Sequence, residues 1–279
     1  MAKKQKEIEE PVEEKPLEIE QESPLPEIIK EEEPAVVLKP GQFDKEAWKP
    51  KTSLGKQVKE GRITIIDPLL ESGQRILEYE IVDALLPGLE TDLLLIGQSK
   101  GKFGGGQRRV FKQTQKKTKE GNKPSFSTFA LVGNRNGYVG LGLGKSKETV
   151  PAREKAIRNA KLHIIKIVRG CGSWECGCGE PHSLPFTVNG KCGSVRVKLM
   201  PAPKGTGLVL EPEMAKLLRF AGIKDAWSKT LGHTKTKTNA IKACFQALQS
   251  LTRTKYGERE VQSLGIVEGP AVDAGKREE

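Results

Sequence analysis

Aromatic residues are scarce in this chain: Phe, Trp and Tyr together make up 5% of it. That excludes base stacking on aromatic platforms as the main way of holding a nucleic acid. Histidine is scarcer still, at three residues in 279. His163 falls inside a helical pattern and His233 in a GHTKTK loop, and neither has a Ser, Cys or acidic partner at a telling spacing. No paired carboxylates stand beside a base in the globular part, so the groups for acid–base catalysis are missing. An enzyme and a small-molecule substrate are both unexpected. Long apolar runs are absent as well. No stretch nears the roughly 20 apolar residues of a membrane span, and the start MAKKQKEIEE has no signal-like apolar segment. The expectation is a cytoplasmic protein with reduced thiols and no membrane partner.

Positive charge, by contrast, is abundant, and it is unevenly placed. Residues 1–40 hold 12 Glu against 6 Lys, in a Pro-rich setting that cannot bury enough surface to offset chain entropy. This acidic tail is expected to be disordered. The remaining residues hold 41 Lys and Arg against 24 acids, a net +17. A body so basic points to a polyanion, with nucleic acid as the natural partner.

Short helical fragments fill 41–90, among them LGKQVKEG (54–61) and EYEIVDALL (78–86). A β region follows. DLLLIGQS (92–99) leads into the loop GKFGGGQ (101–107), then come strand-like RRVFKQTQKK (108–117) and FSTFALVG (126–133). The turn Asn134-Arg135-Asn136-Gly137 returns the chain as YVGLGLGKS (138–146). Its Gly144-Lys145-Ser146 ends like a phosphate-binding P-loop, but the first glycine of that motif would fall on Val139. Gly140, Gly142 and Gly144 instead alternate, so they share one bare face of a strand. The next segment, PAREKAIRNAKLHIIKIV (151–168), predicts a helix whose Ala152, Ala156 and Ala160 form a small-residue stripe. Small alanines against strand glycines predict close helix–sheet packing. The first module therefore reads as helix, three-stranded meander, helix.

In the second module LPFTV and CGSVRVKLM flank Asn189-Gly190, an expected hairpin turn. The loop PAPKGTG (201–207), a helix over 213–222, a strand DAWSKTL and a helix over 238–251 complete it. Cys244 lies on that last helix's apolar stripe and reads as core. Residues 256–279 read as a loose tail.

Two constellations carry chemistry. Nine Lys and Arg lie between Gln98 and Pro124: Lys100, Lys102, Arg108, Arg109, Lys112, Lys116, Lys117, Lys119 and Lys123. This hairpin can follow a phosphate backbone, the alternative being a charged edge that discourages aggregation. Arg135 in the Asn-Gly turn, Lys145 and Lys147 at the strand end, Arg153 at the helix start and Lys204 in the PAPKGTG loop join the candidate RNA contacts. The second constellation is RGCGSWECGCGEPH (169–182). Cys171, Cys176, Cys178 and His182 make a tetrahedral ligand set for a structural Zn²⁺, with Cys192 a possible substitute ligand. Cysteines that merely pack, or do redox work, are the competing readings.

VGNRNGYVGLGLGKSKETVPAREKAIRNAK, CGSVRVKLMPAPKGTGLV and AGIKDAWSKTLG, in that order, resemble the fifth ribosomal protein of the small subunit. SWECGCGEPH and the N-terminal helices look like its archaeal-type branch. The resemblance covers residues 48–255 and implies an α+β fold. In it a double-stranded-RNA-binding-like αβββα module (91–169) passes through a zinc-knuckle-like connector (170–183). An α+β module with a left-handed βαβ crossover follows (184–255). It further implies a structural ribosomal constituent that binds small-subunit ribosomal RNA near the decoding region. Such a protein adjoins the fourth and eighth small-subunit proteins, lines the mRNA entry path, and influences assembly and accuracy. The rivals are a free RNA chaperone and a P-loop-like NTPase.

Overall fold

A computed structural model describes Lys45, residues 48–98 and residues 108–270. The acidic tail, Lys100 and Lys102 lie outside the described residues. In chain order the elements are α1 (Ser53–Lys59), α2 (Asp67–Glu71), α3 (Tyr79–Leu85), β1 (Glu90–Leu94), β2 (Lys112–Thr118), β3 (Gly121–Gly133), β4 (Tyr138–Ser146) and α4 (Thr149–Leu162). Next come β5 (Ile164–Lys166), β6 (Val168–Arg169), β7 (Val188–Cys192), β8 (Val195–Pro201), β9 (Leu208–Val209), α5 (Pro212–Phe220) and β10 (Ala226–Leu231). The chain continues as α6 (Lys237–Arg253), α7 (Glu258–Leu264) and β11 (Val267–Glu268).

Long β3 organises the first sheet. β1 pairs with its C-terminal half and β2 with its N-terminal half, so the two expected strands are two lengths of one edge. The basic excursion between them interrupts that edge. β4 pairs along the other side of β3, and β5 extends the sheet beyond β4. The predicted helix over 151–168 stops at Leu162 instead, because Ile164 and Ile165 are β-branched and find Tyr138–Gly140 of β4 unpaired beside them.

The glycine–alanine packing is as the sequence predicts. A Cβ on Gly142 would lie 2.1 Å from the Ala160 nitrogen and 2.2 Å from the Ala156 oxygen, and one on Gly144 would lie 2.0 Å from the Ala152 oxygen. Only a bare strand lets α4 come this near.

The second sheet has the order β7-β8-β10-β9, with β9 parallel to β10 and joined to it through α5. Asn189-Gly190 is not its hairpin turn. Both residues lie inside β7, and the chain reverses at Gly193-Ser194, with Gly193 at φ 60. Gly190 serves a different end: a Cβ there would lie 2.0 Å from the Ala243 oxygen of α6. The expected loose tail also has structure, since α7 forms and β11 pairs with β6.

The two modules share one core. Leu94, Phe129, Leu131, Val139 and Leu141 of the first sheet pack with Leu184, Val197, Leu217, Ile241 and Leu248 of the second module. A smaller core holds the N-terminal extension, where Trp48, Val58, Ile66 and Ile81 surround Tyr138 and Ile164.

Candidate nucleic-acid interface and metal centre

Register decides which cations stand together. Lys112 faces Ser127, which faces Lys145 across β2, β3 and β4, and Lys116 faces Lys123 directly. Cross-strand partners share a face, so these four lysines project from the side of the sheet opposite α4. All four are exposed. Lys116 and Lys123 form a like-charge pair of the kind that destabilises a sheet by a few tenths of a kcal/mol. Glu120 lies 3.5 Å from Lys123 and offsets little of this, since both side chains are well exposed.

The other predicted contacts are dispersed. Lys117 points to the opposite face of β2. Arg108 and Arg109 close the base of the basic excursion, where the Gly97 amide donates to the Arg109 oxygen (2.8 Å) and the Arg109 amide to Gln98 (3.2 Å). Lys147 and Arg153 are exposed at the start of α4. Two sites are already engaged internally. Arg135 holds Glu90 at 2.6 Å and lies over the Phe220 ring, and Lys204 Nζ donates to Glu180 at 2.7 Å.

Gly144-Lys145-Ser146, the P-loop-like ending, is ordinary β-ladder. Its glycine is covered by α4, which leaves no open run of backbone N–H groups for a phosphate.

The connector brings its four predicted ligands together. The ligand atoms of Cys171, Cys176, Cys178 and His182 all lie within 4.8 Å of one another, and Cys176 Sγ stands 3.8 Å from His182 Nε2. A tetrahedral zinc with Zn–S bonds of about 2.3 Å has ligand–ligand edges of about 3.8 Å, so a small contraction closes the set on an ion. Gly172 makes the tight path possible, because a Cβ there would sit 1.9 Å from the Pro185 oxygen. Cys192 ends β7, lines a separate cavity with His163 and Phe245, and is not among the clustered ligands.

The local electrostatics treat two of the thiols in opposite ways. The backbone amides of Lys204 and Cys178 donate to Cys176 and bring its thiol down to about 6. Burial, then the neighbouring Cys178 and Cys176 thiols, pushes Cys171 up to about 11. His182 Nδ1 meets Asp225 Oδ2 at 2.8 Å. With Nδ1–H donated to Asp225, the Nε2 lone pair faces the sulfurs, the arrangement of a metal-ligating imidazole. Cys244 is unrelated: burial pushes its thiol up to about 12 within the α6 core.

Residues 107–168 match the family "Ribosomal protein S5, N-terminal domain" and residues 190–261 match "Ribosomal protein S5, C-terminal domain". "Small ribosomal subunit protein uS5" of Nanoarchaeum equitans is 50% identical over 228 residues, covering 82% of this chain and 98% of the relative. The protein of the same description from Methanocaldococcus jannaschii is 49% identical with the same coverage, and that from Methanothermobacter thermautotrophicus is 45% identical over 224 residues, covering 80% of this chain and 97% of the relative. The chain belongs to the ribosomal protein S5 family.

Within the family's C-terminal match lies a second basic face that the sequence reading passed over. Lys191 faces Arg196 and Lys198 faces Lys229 on the solvent side of the second sheet. All four are exposed. The signal was present in the alternation Val195-Arg196-Val197-Lys198-Leu199, which puts the apolar residues inward and the cations outward. Asp225 was missed as well, because nothing in DAWSKTL ties it to a histidine 43 residues earlier.

Proposed function

We propose that the chain clamps ribosomal RNA with its two basic sheet faces, each against a different RNA segment. Family membership makes it a structural component of the small ribosomal subunit and not an enzyme. The observation that carries the clamp is the set of directly opposed cations: Lys116 with Lys123, Lys191 with Arg196, and Lys198 with Lys229. Each pair costs the free protein stability, and phosphates brought between them would turn that cost into binding.

In this reading residues 91–169 and 184–255 are the RNA-facing modules, 170–183 is a zinc-knuckle-like connector, and 41–90 is an N-terminal extension. The order α3, β1 with β2, β3, β4, α4 supports a double-stranded-RNA-binding-like first module. The β9–α5–β10 unit is where the family's left-handed crossover would fall. RNA contacts are assigned to Lys112, Lys116 and Lys145, with Arg108, Arg109, Lys117, Lys147 and Arg153 at the margins and Lys100 and Lys102 on the excursion. Arg135 and Lys204 would first have to yield their present partners. Zn²⁺ is assigned to Cys171, Cys176, Cys178 and His182, a closed structural site with no open position for substrate. A place near the decoding region and mRNA entry, beside the fourth and eighth small-subunit proteins, accords with this assignment.

The test is binding of small-subunit ribosomal RNA across a salt series. Replacing Lys112, Lys116 and Lys145 together with Ala should weaken binding and lower the slope of log K against log salt by about two to three. An unchanged slope removes this face from the RNA contact.

A further inference from the structure

Several features of the connector point away from the ion and toward the loop between β8 and β9. That loop, Pro203-Lys204-Gly205-Thr206-Gly207, makes one turn bond of its own, from the Thr206 amide to the Pro203 oxygen. Gly205 and Gly207 take φ values of 91 and 74, and a Cβ on either would meet nothing within 4 Å. The Gly207 oxygen accepts from the Ala226 amide at 3.1 Å, and the two glycine amides are held by a carboxylate. Asp225 Oδ1 accepts from the Gly207 amide at 2.8 Å and the Gly205 amide at 3.1 Å, while its Oδ2 takes His182 Nδ1 at 2.8 Å.

The two ends of this relay are held from other directions too. The His182 oxygen accepts from the amides of Lys224 and Asp225. Ser183 Oγ donates to the Asp225 oxygen at 2.6 Å and accepts from the Ala202 amide at 3.1 Å. Lys204 Nζ reaches Glu180 beside the knot at 2.7 Å. Asp225 is buried, and the imidazole of His182 is a side-chain partner of its carboxylate. A buried carboxylate that loses a hydrogen-bond partner bears the desolvation cost of the unmet group, so the imidazole has to stay in place. An imidazole bonded on one nitrogen can still swing, whereas one ligated through the other nitrogen cannot.

We propose that Asp225 couples the metal knot to the 203–207 loop, so that metal binding at Cys171, Cys176, Cys178 and His182 orders the loop carrying Lys204. The coupling rests on the metal reading of the knot. It adds a positioning residue: the loop holds Lys204 in one conformation, against Glu180, only when the knot is filled. Loss of the ion frees His182, then Asp225, then the two glycine amides.

The experiment uses the full chain, reduced and loaded with Zn²⁺. Zinc affinity is read by chelator competition, and loop order by hydrogen exchange at the Gly205 and Gly207 amides. Asp225→Asn should still bind one zinc, 10–100-fold more weakly, and both amides should exchange at least tenfold faster. Cys178→Ser, or chelation of the wild type, should lose the ion and speed the same two amides, although Cys178 touches neither. If the wild type holds one zinc but exchange at Gly205 and Gly207 ignores its removal, the coupling is wrong and the metal reading stands. If Asp225→Asn binds zinc as tightly as wild type, Asp225 has no positioning role. A wild type that takes up no zinc overturns the metal reading and the coupling with it.

Discussion

The first sheet has two ends, and they obey opposite rules. At the inner end both faces are covered. Gly140, Gly142 and Gly144 admit α4 on one side, and Phe129, Leu131 and Leu141 meet the second module on the other. At the outer end nothing among the described residues covers the side facing away from α4, and the same β3 and β4 strands carry Lys123 and Lys145 where the inner end carries leucines. The strands are continuous, so the change is in side chains alone. Burial supplies the stability of one end, and the other is left free to be shaped by charge. A sheet anchored at one end can hold an unfavourable cluster of cations at the other.

The sharpest way to break this comparison is to put the same residue at both ends. Gly142→Val should abolish folding, because its Cβ would fall on the Ala156 and Ala160 backbone, a cost on the order of 5 kcal/mol or more against a domain stability of similar size. Lys145→Val, three residues along the strand and on its open side, should unfold at nearly the wild-type midpoint. Urea titrations of the two variants decide it. Two similar midpoints would mean that the inner end is not the anchor.

How far the sequence could be read follows the same division. The period-two glycines and the alanines four apart gave the inner packing directly, because each half of the contact is written in a local pattern. Gly190 misled because Asn-Gly is a strong turn signal, and its true reason, the close approach of Ala243, comes from a helix fifty residues away. α7 carries local helix signals that the sequence reading passed over, Glu258 and Glu260 in its first turn and the left-handed Gly265 at its end, whereas β11 had none. They are held by the Cys171 amide donating to the Leu264 oxygen, by pairing with β6, and by Gly265 lying against Gly179. The clustered Cys171, Cys176, Cys178 and His182 were legible because they are close in sequence, while Asp225 was not. Local constellations were readable, and the groups that connect them were not.

A smaller effect probes the corner where the N-terminal extension meets the inner end. Tyr138, 3% exposed, donates its hydroxyl to Asp67 Oδ1 at 2.5 Å. Burial, then this bond to a carboxylate, raises the phenol above its ordinary value near 10. Because the folded state favours the neutral phenol, this contribution is complete below about pH 10 and fades as pH rises through the higher folded value. Tyr138→Phe should lose about 1 kcal/mol at pH 7 and show a shallower decline in stability between pH 9.5 and 11 than the wild type. Equal alkaline slopes would mean that the phenol does not titrate with unfolding.

The smallest expected change is the most informative about the outer end, because it should move stability and binding in opposite directions. Lys116→Glu places a carboxylate directly opposite Lys123 and turns a repulsive pair into an attractive one. A few tenths of a kcal/mol of added stability should follow, seen as a higher urea midpoint that shrinks as salt screens the pair. RNA binding should fall at the same time, with the salt slope lower by about one or slightly more, since a phosphate contact is lost and a negative charge is added. If the variant gains stability and keeps its RNA affinity, the open end is only a solvated edge. If it loses both, Lys116 has a partner in the free protein beyond Lys123. The opposed outcome alone shows an end of the sheet held away from its own best energy so that RNA can complete it.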